Sequence, residues 1–362
     1  MKYYLIAGEA SGDMHGANLM RELAAKDPSA EFRFWGGDKM AKIAHGVQVE
    51  HYKNTAFMGF VEVLKHLPTI FKFIKKCKED ILHYQPDFVI FIDYPGFNLR
   101  IAKFAKHAGF KTIYYISPQV WAWKQNRVKK IKAYIDKMLV ILPFEQDFYA
   151  TCSYPVDYVG HPLLDEIQNK NYPLEIDSNK KIIALFPGSR KQEIAAILPK
   201  FLEVEAHFPS FQFIVAGLAH IEEEFYRTIF KTAGSQALLV KNKNYALLQA
   251  SEYALVASGT ATLETALFKV PMVVGYKGSF LSYHIGKYLI KVPYIALVNL
   301  IMGEKVVQEL IQNDLNAANL KKELNLLMEP NVKREMQEKF AELKIKLGNS
   351  GASRKAAESI LS

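Results

Sequence analysis

The chain has 362 residues, of which 50% are hydrophobic and 23% are charged, and its formal net charge is +9. This composition excludes a disordered chain, and the length favours two domains over one. The positive charge favours a polyanionic partner such as anionic lipid, nucleic acid or a phosphorylated substrate, although a basic enzyme without such a partner has the same composition.

The two cysteines, Cys77 and Cys152, lie far apart in the sequence and match no metal-ligand spacing. We therefore expect a reduced, cytosolic protein. The N-terminus lacks the basic stretch and the longer apolar run of a signal peptide. No run of about 20 apolar residues is present, so we expect no membrane-spanning helix.

In the first half of the chain, short apolar runs alternate with amphipathic stretches. The predicted strands are Lys2–Ala7, Phe32–Trp35, Phe88–Ile92, Thr112–Ile116 and Met138–Ile141. The predicted helices between them are Met14–Lys26, Val61–His83 and Leu99–Ala108. Regular alternation of strand and helix predicts an α/β fold with a doubly wound parallel sheet.

The same alternation returns after a polar stretch at 164–180. The predicted strands are Ile182–Phe186, Phe211–Ala216, Leu238–Val240, Tyr253–Val256 and Met272–Val274, with helices at Lys191–His207, Glu222–Thr232, Tyr245–Ala250 and Thr260–Phe268. The sequence thus predicts two α/β domains, over about 1–165 and 175–345, that face each other across a cleft. Ligands of such sheets bind beyond the carboxyl ends of the strands.

Polar residues follow two predicted strands of the first domain. Residues 8–16 carry three glycines with Glu9, Ser11 and Asp13, which suits either an anionic ligand or a tight turn with Ser11 or Asp13 as helix cap. Asp93 follows the strand Phe88–Ile92 and suits either a general base or a helix cap. Both interpretations stay open for each segment.

The next loop is aromatic and basic. Trp121 and Trp123 suit a hydrophobic core better than a sugar-stacking platform. Residues 124–137 carry six basic side chains and one acid, Asp136, which indicates a solvated face or a surface for anions.

In the second domain, two strands lead into turns suited to phosphate. Ser189 and Arg190 follow the strand Ile182–Phe186, and an arginine can bind a phosphate through two hydrogen bonds. The turn Ser258–Thr260 opens a predicted helix, and Glu264 lies one turn further, where it could accept both hydroxyls of a ribose. Two such turns and an acid in one α/β domain indicate a nucleotide-sugar site.

Several other chemistries find no support in the sequence. The ten histidines form no H-x-x-x-H pair and no D-x-D motif is present, so we expect no metal cofactor. No G-x-S-x-G motif is present for a serine hydrolase. His161 follows a weak strand and fits a structural histidine in a turn best.

Ten segments stand out between the first strand and the last helix: GEASGD (8–13), MGFVEVL (58–64), IDYPGFN (92–98), YISPQVWAWKQNRV (115–128), LPFE (142–145), VGHPL (159–163), PGSRKQEI (187–194), ASGTATLE (257–264), PMVVGY (271–276) and GNSGASRKAA (348–357). In this order they resemble the lipid-A-disaccharide synthase family, a group of inverting, metal-independent glycosyltransferases of the GT-B type. The resemblance covers essentially the whole chain.

The resemblance implies two Rossmann-like domains and a hexosyltransferase that uses UDP-2,3-diacylglucosamine and 2,3-diacylglucosamine 1-phosphate. A peptidoglycan N-acetylglucosaminyl transferase or a UDP-sugar 2-epimerase would share this fold, but the SPQVWAW segment argues against both. A non-catalytic protein that binds anionic lipid or nucleic acid would explain the charge but not the phosphate turns.

The resemblance also implies roles for individual residues. Those implied in activity are Glu9, Asp93, Arg190 and Asn299. Those implied in binding substrate or UDP are Ser11, Ser189, Arg190, Ser258, Gly259, Thr260, Glu264, Gln308 and Glu309. Gly96 departs from the family pattern, in which a second aspartate is common, and this favours Asp93 as the base.

Two further expectations concern location. The segment 57–78 is basic and rich in aromatic residues, which suits either docking on an anionic membrane surface or an ordinary helix whose aromatic face packs on the sheet. Such docking would place the protein on the cytoplasmic side of the inner membrane of a Gram-negative bacterium. The fold resemblance predicts that the last helix, about 348–362, packs back on the first domain.

Overall fold

The computed structural model describes residues 1–43, 45–55, 67–167, 171–174, 176, 179–278 and 292–362. The chain divides into two compact units, one formed by Met1–Glu166 with Gly348–Ser362 and the other by Ile167–Leu347. Each unit is built on one sheet whose strand pairs are all parallel. The predicted α/β class with two doubly wound sheets is therefore confirmed.

Seven strands form the sheet of the first unit, in the order β3-β2-β1-β4-β5-β6-β7. They are β1 (Lys2–Ala7), β2 (Glu31–Gly36), β3 (Gly46–His51), β4 (Phe88–Ile92), β5 (Lys111–Tyr115), β6 (Lys137–Val140) and β7 (Asp157–Tyr158). The strand order reverses between β1 and β4. Ligands of doubly wound sheets bind at such a switch point.

The second unit has a six-stranded sheet in the order β10-β9-β8-β11-β12-β13. Its strands are β8 (Lys181–Phe186), β9 (Phe211–Gly217), β10 (Leu238–Lys241), β11 (Ser251–Ala257), β12 (Met272–Tyr276) and β13 (Gln308–Ile311). Its switch point lies between β8 and β11.

Helices connect the strands in both units. The first unit contains α1 (Ala10–Lys26), α2 (Tyr52–Thr55), α3 (Leu67–Tyr84), α4 (Pro95–His107), α5 (Arg127–Tyr134), α6 (Phe144–Thr151), α7 (Leu163–Glu166) and α15 (Ala352–Leu361). The second contains α8 (Lys191–Leu202), α9 (Glu223–Ala233), α10 (Asn244–Ala250), α11 (Thr260–Leu267), α12 (Leu297–Met302), α13 (Ala317–Met328) and α14 (Pro330–Leu347). No helix of the described ranges is long and apolar enough to cross a membrane.

The first sheet is buried on both faces, which explains the unbroken apolar run of β1. Successive side chains of a strand point to opposite faces. Tyr3 and Leu5 join a core with residues of α1 and α15, whereas Tyr4 and Ile6 join a second core with residues of α3 and α4. A parallel strand covered on both faces is expected to be apolar throughout.

The C-terminal helix α15 packs on the first unit. Ala356, Ala357 and Ile360 lie in the same core as residues of α1. The Asp165 carboxylate accepts hydrogen bonds from the backbone amides of Ala352 at 3.3 Å and Ser353 at 3.2 Å, and also from that of Gly351. The helix is thus fixed by its apolar face and by its N-terminal turn.

Two strands, β3 and β13, were not predicted, and β7 was expected only as a weak strand before His161; all three lie at sheet edges. An edge strand has one neighbour and needs less apolar surface. Accordingly, β3 mixes polar and apolar residues, β7 has two residues, and β13 buries only Leu310.

The first helix begins earlier than predicted. α1 starts at Ala10 and not at Met14, with Glu9 as its N-cap, so the prediction that Ser11 or Asp13 caps the helix is wrong. The buried Asp13 carboxylate instead accepts hydrogen bonds from the amides of Gly37 at 2.7 Å and Met40 at 3.1 Å. It therefore stabilises the loop after β2.

The second predicted helix, Val61–His83, is described from Leu67 onwards. Pro68 lies in the first turn of α3, where the missing amide costs no helical hydrogen bond. Residues 56–66, including the predicted start, lie outside the described residues.

Candidate active site

The two predicted phosphate turns lie side by side in the second unit. β8 leads to Ser189 and β11 leads to the turn Ser258–Thr260, and these two strands are adjacent and parallel. Their carboxyl ends therefore meet at one edge of the sheet, at its switch point. A cavity of about 240 Å³ at this edge is lined by both turns and by Glu264.

The turn after β8 requires glycine. Gly188 has a φ of +128°, and a Cβ atom there would lie 2.4 Å from the Glu193 side chain. The Glu193 carboxylate accepts a hydrogen bond from the Ser189 amide at 2.7 Å. Arg190 is the exposed N-cap of α8 and is not among the described residues that line the cavity.

The turn after β11 presents the start of α11 to the cavity. The Ser258 hydroxyl donates to the Ile295 carbonyl at 2.9 Å, so this side chain anchors the turn. Gly259 is the N-cap of α11, and Gly259 and Thr260 are exposed and line the cavity. The free amides of a helix N-terminus suit an anionic group such as a diphosphate.

Glu264 lies one turn into α11 and lines the same cavity. Burial raises the pKa of its carboxyl to about 7. An ionised carboxylate accepts several hydrogen bonds at once, so this side chain can accept two hydroxyl groups of a ligand.

Asn299 is buried inside the second unit and does not line the cavity. Its side-chain amide donates to the Val307 carbonyl and to Glu309, each at 2.9 Å, and accepts from the amides of Val306 and Val307. Its hydrogen-bonding capacity is thereby used within the protein. This arrangement fits a positioning residue better than the direct catalytic role that the resemblance implied.

Glu309 completes the network around Asn299. Its carboxylate accepts hydrogen bonds from the amides of Ile295 at 3.1 Å and Ala296 at 2.9 Å. Since the Ile295 carbonyl accepts the Ser258 hydroxyl, Glu309 and Asn299 fix the segment that holds the turn after β11. Gln308 is half-buried and donates to the Glu309 carbonyl at 3.2 Å.

In the first unit, Asp93 lies in a strained turn at the switch point. Asp93 and Tyr94 have φ angles of 45° and 50°. This left-handed conformation costs a non-glycine residue roughly 1–2 kcal/mol. The Asn98 side-chain amide and the Tyr114 hydroxyl both donate to the Asp93 carbonyl, at 2.7 and 2.6 Å, and hold the turn.

The Asp93 carboxyl is half-buried, and its pKa lies above the ordinary range of an aspartate. Burial, followed by the negative charge of Glu9, raises the pKa of Asp93 to about 6. The carboxyl is therefore ionised at pH 7 and is more basic than an ordinary aspartate. A strained residue with a shifted pKa at a ligand-binding edge is a good candidate for a general base.

Glu9 reaches the same switch point from the neighbouring strand β1. It is the N-cap of α1, whereas Ser11 is exposed in the first turn of that helix. Gly8 permits the Tyr94 ring to pack closely on the backbone before Glu9, because a Cβ atom at residue 8 would lie 2.3 Å from that ring. The structure thus brings Glu9 close enough to Asp93 for its negative charge to act on the Asp93 carboxyl.

Glu145 is a third carboxyl here that the sequence analysis did not single out. It is 1% exposed and accepts hydrogen bonds from the Leu142 amide at 3.0 Å and the Trp121 indole at 3.1 Å. Burial is the main cause that raises the pKa of Glu145 to about 7, and the charge of Asp93 adds to it. The only sequence signal was its position in the LPFE segment.

Burial decides two of the open alternatives. Trp121 is 6% exposed and packs edge-on against Phe144, so it belongs to the core and is no sugar platform. Trp123 is 39% exposed, so the expectation that it also belongs to the core is wrong. His161 is also buried and accepts a hydrogen bond from the Leu163 amide, and burial lowers its pKa to about 3. This is the expected structural histidine.

The two sheets define the class of protein. The fold resembles the UDP-GlcNAc 2-epimerase from Neisseria meningitidis bound to UDP-GlcNAc, with a TM-score of 0.70 at 14% identity over 100% of both chains. It also resembles the glycotransferase of kitacinnamycin, with a TM-score of 0.64 at 12% identity over 99% of this chain and 98% of the other. The chain therefore has the predicted GT-B fold.

The sequence comparisons identify the family within that class. The model of the family described as lipid-A-disaccharide synthetase matches residues 3–362. The lipid-A-disaccharide synthase of Geobacter metallireducens is 39% identical over 99% of this chain and 96% of its own length. That of Nitrosococcus oceani is 42% identical over 98% and 94%, respectively. The chain belongs to the lipid-A-disaccharide synthase family and is a glycosyltransferase.

Proposed function

We propose that the chain transfers a 2,3-diacylglucosaminyl group from UDP-2,3-diacylglucosamine to the 6-hydroxyl of 2,3-diacylglucosamine 1-phosphate. The products are the β-1′,6-linked lipid A disaccharide 1-phosphate and UDP. The observation that carries the proposal is the Asp93 carboxylate, held in a strained turn beside Glu9 at the switch point of the first sheet. Family membership over nearly the whole chain supports the choice of substrates.

The donor nucleotide binds in the cavity of the second unit. The Ser189 side chain and the amides of Gly259 and Thr260 face the diphosphate, and the Glu264 carboxylate accepts the ribose hydroxyls. Arg190 lies next to Ser189 at the start of α8, where its exposed side chain is free to reach an anion. Ser258 supports this site through its bond to Ile295, and Asn299 and Glu309 support that segment.

The chemistry is a single displacement. The 6-oxygen of the acceptor attacks the anomeric carbon while Asp93 takes the hydroxyl proton. The bond between the anomeric carbon and the diphosphate oxygen breaks, and its electron pair leaves with UDP. Backbone amides and Arg190 stabilise the charge that grows on UDP, an effect typically worth about 10²–10³ in rate per donor.

The proposed reaction needs no metal cofactor, because amides and Arg190 supply the electrostatic stabilisation. Among the described residues, no group of three or more histidine, cysteine, aspartate or glutamate side chains is arranged to hold a metal ion. Turnover that is unchanged by a chelator such as EDTA supports this part of the proposal, and turnover that requires added Mg²⁺ contradicts it.

The proposed substrates are lipids, so the protein must act at a membrane surface. We place it on the cytoplasmic side of the inner membrane of a Gram-negative bacterium, as a peripheral protein without a nucleic-acid partner. α3 supports this placement, because Phe71 is 63% exposed beside the exposed side chains of Lys72 and Lys75. The apolar residues at 57–66 of the proposed docking segment lie outside the described residues.

The test is the release of UDP when the purified protein meets both acylated sugars. We expect release only when donor and acceptor are both present, in proportion to the disaccharide detected by mass spectrometry. Conversion of UDP-GlcNAc to its 2-epimer without an acceptor would favour an epimerase. Binding to anionic lipid without UDP release would favour a non-catalytic protein.

A further inference from the structure

A basic and aromatic cluster lies on the surface of the first unit, between the end of β5 and the start of α5. Trp123 keeps 39% of its surface exposed. The Lys124 Nζ lies 4.3 Å from the centroid of the Trp123 ring, and the Arg127 Cζ lies 5.5 Å from it. Two cations therefore share one exposed indole.

Among the described residues, these cations have no partner of opposite charge. Within the described part of the chain, neither Lys124 nor Arg127 forms an ion pair with a carboxylate. Burial, followed by the charge of Arg127, lowers the pKa of Lys124. Burial is also the main cause that lowers the pKa of Arg127. Tyr114 acts to raise this pKa, whereas the charge of Arg100 lowers it further. A bound anion would relieve this repulsion.

The cluster borders the turn that holds the proposed base. Tyr114 donates its hydroxyl hydrogen to the Asp93 carbonyl at 2.6 Å, and the charge of Arg127 acts on the same tyrosine. Arg100 lies on α4, which begins directly after that turn, and it donates to the Gly96 carbonyl. An anion on the cluster would therefore lie close to the acceptor hydroxyl that Asp93 is proposed to deprotonate.

We propose that Trp123, Lys124 and Arg127 form the binding site for the phosphate monoester of the acceptor sugar, an inference that rests on the proposed function. A phosphate monoester carries a charge of roughly −1.5 to −2 near pH 7 and accepts several hydrogen bonds. A guanidinium binds it through two parallel bonds and an ammonium binds it as a point charge. The donor diphosphate is assigned to the second unit, which leaves the acceptor phosphate for this cluster.

The test is a binding measurement without donor, so that it does not depend on turnover. Calorimetry in neutral detergent compares short-chain 2,3-diacylglucosamine 1-phosphate with the methyl glycoside of the same sugar. The test variant combines Lys124→Met with Arg127→Met. The control combines Lys129→Met with Lys130→Met, which removes the same charge from exposed positions of α5.

We expect the wild type and the control to prefer the phosphorylated sugar at least tenfold. In the test variant that preference is lost, while affinity for the methyl glycoside stays within about twofold. A loss of about tenfold to a hundredfold is the usual scale for hydrogen bonds between charged groups. Preference that persists in the test variant, or that is missing in the wild type, overturns the inference. Arg127→Lys, which keeps the charge, should retain part of the preference.

Two further measurements distinguish the sugar phosphate from a lipid headgroup and separate binding from turnover. Binding to anionic phosphatidylglycerol vesicles tests whether the cluster binds a lipid headgroup instead. If the test variant loses vesicle binding but still prefers the phosphorylated sugar, the inference is overturned. UDP release by the wild type tests the proposed function separately. Binding preference without UDP release keeps the phosphate site and rejects the transferase reaction.

Discussion

At the scale of single residues, three carboxyl groups of the first unit are candidates for the base. The pKa values of Asp93 and Glu145 are raised, and Glu9 lies close to Asp93. Glu9 and Asp93 follow adjacent strands, and Glu145 is buried under the Trp121 indole. Asp93 alone lies in a left-handed turn whose carbonyl is held by two side chains. This combination of strain and support distinguishes Asp93 as the base.

The substitution Asp93→Asn tests this assignment. Asparagine keeps the size of the side chain but cannot take the proton, so we expect kcat to fall by about 10²–10⁴, the usual scale for lost base catalysis. UDP affinity should stay nearly unchanged, because the nucleotide is assigned to the second unit. Steady-state kinetics and calorimetry measure the two quantities.

The matched control is Asp147→Asn, an exposed aspartate on α6 of the same unit. It should keep wild-type kcat. If Asp93→Asn retains more than about a tenth of wild-type activity, Asp93 is not the base and Glu9 becomes the next candidate.

The pKa of Glu264 predicts how UDP binding depends on pH. Burial raises this pKa from 4.5 to about 7, so the free carboxyl is protonated below pH 7 and ionised above it. If the ionised form accepts the ribose hydroxyls, UDP affinity weakens as pH falls, by up to about tenfold per pH unit below 7. Calorimetry between pH 8 and pH 6 measures this trend.

The variant Glu264→Gln cannot ionise and serves as the comparison. Titration of UDP itself affects both proteins alike, so the difference between them reports Glu264. We expect weaker binding in the variant at pH 8 and a smaller gap at pH 6. Equal pH dependence in both proteins would remove Glu264 from the site.

At the scale of elements, the C-terminal helix α15 tests how the first unit is held together. The Asp165 carboxylate accepts hydrogen bonds from the first amides of this helix, which otherwise have no helical partners. Asp165→Ala should lower the free energy of unfolding by about 0.5–2 kcal/mol, the usual cost of a lost helix cap. Thermal unfolding followed by circular dichroism measures the effect.

Glu358→Ala is the control for that experiment, because it removes an exposed ion pair between α15 and Lys26. Exposed pairs of this kind contribute little, so the control should melt with the wild type. A Tm for Asp165→Ala that equals that of the control would show that the carboxylate does not stabilise the helix.

The sequence predicted the strands that are buried on both faces of a sheet, but it did not predict the bounds of the polar strands at the sheet edges. β1 and β4 match their predicted bounds because each is a short apolar run in the middle of the sheet. The turns at Ser189 and Ser258–Thr260 were found because they follow such strands. Asn299 and Glu309 were named from the resemblance, but their network depends on contacts between distant segments. Sequence spacing carries no signal for that, nor for the burial of Glu145.

At the scale of the whole molecule, α3 offers a test of membrane docking. Lys72 and Lys75 are exposed, whereas Lys76 is paired with Glu50 at 2.7 Å and lies over Trp35. The test variant therefore combines Lys72→Glu with Lys75→Glu and leaves Lys76 unchanged. Each lysine near an anionic surface contributes about 1 kcal/mol to the free energy of binding. We expect this variant to sediment less with phosphatidylglycerol vesicles at low salt.

The control reverses two exposed lysines of the second unit, Lys321→Glu and Lys322→Glu, which change the net charge equally. It should sediment like the wild type. If both variants lose vesicle binding to the same extent, overall charge and not α3 determines the association. If neither loses it, docking through α3 is wrong.

The stereochemistry of the product is the sharpest test of the proposed reaction. A single displacement with Asp93 as base inverts the anomeric carbon, so the α-linked UDP donor must yield a β-1′,6-linked disaccharide. NMR of the purified product, together with enzymatic quantification of UDP, measures linkage and stoichiometry in one reaction. We expect one β-linked disaccharide for each UDP released, without added metal. An α-linked product, or UDP released without disaccharide, would contradict it.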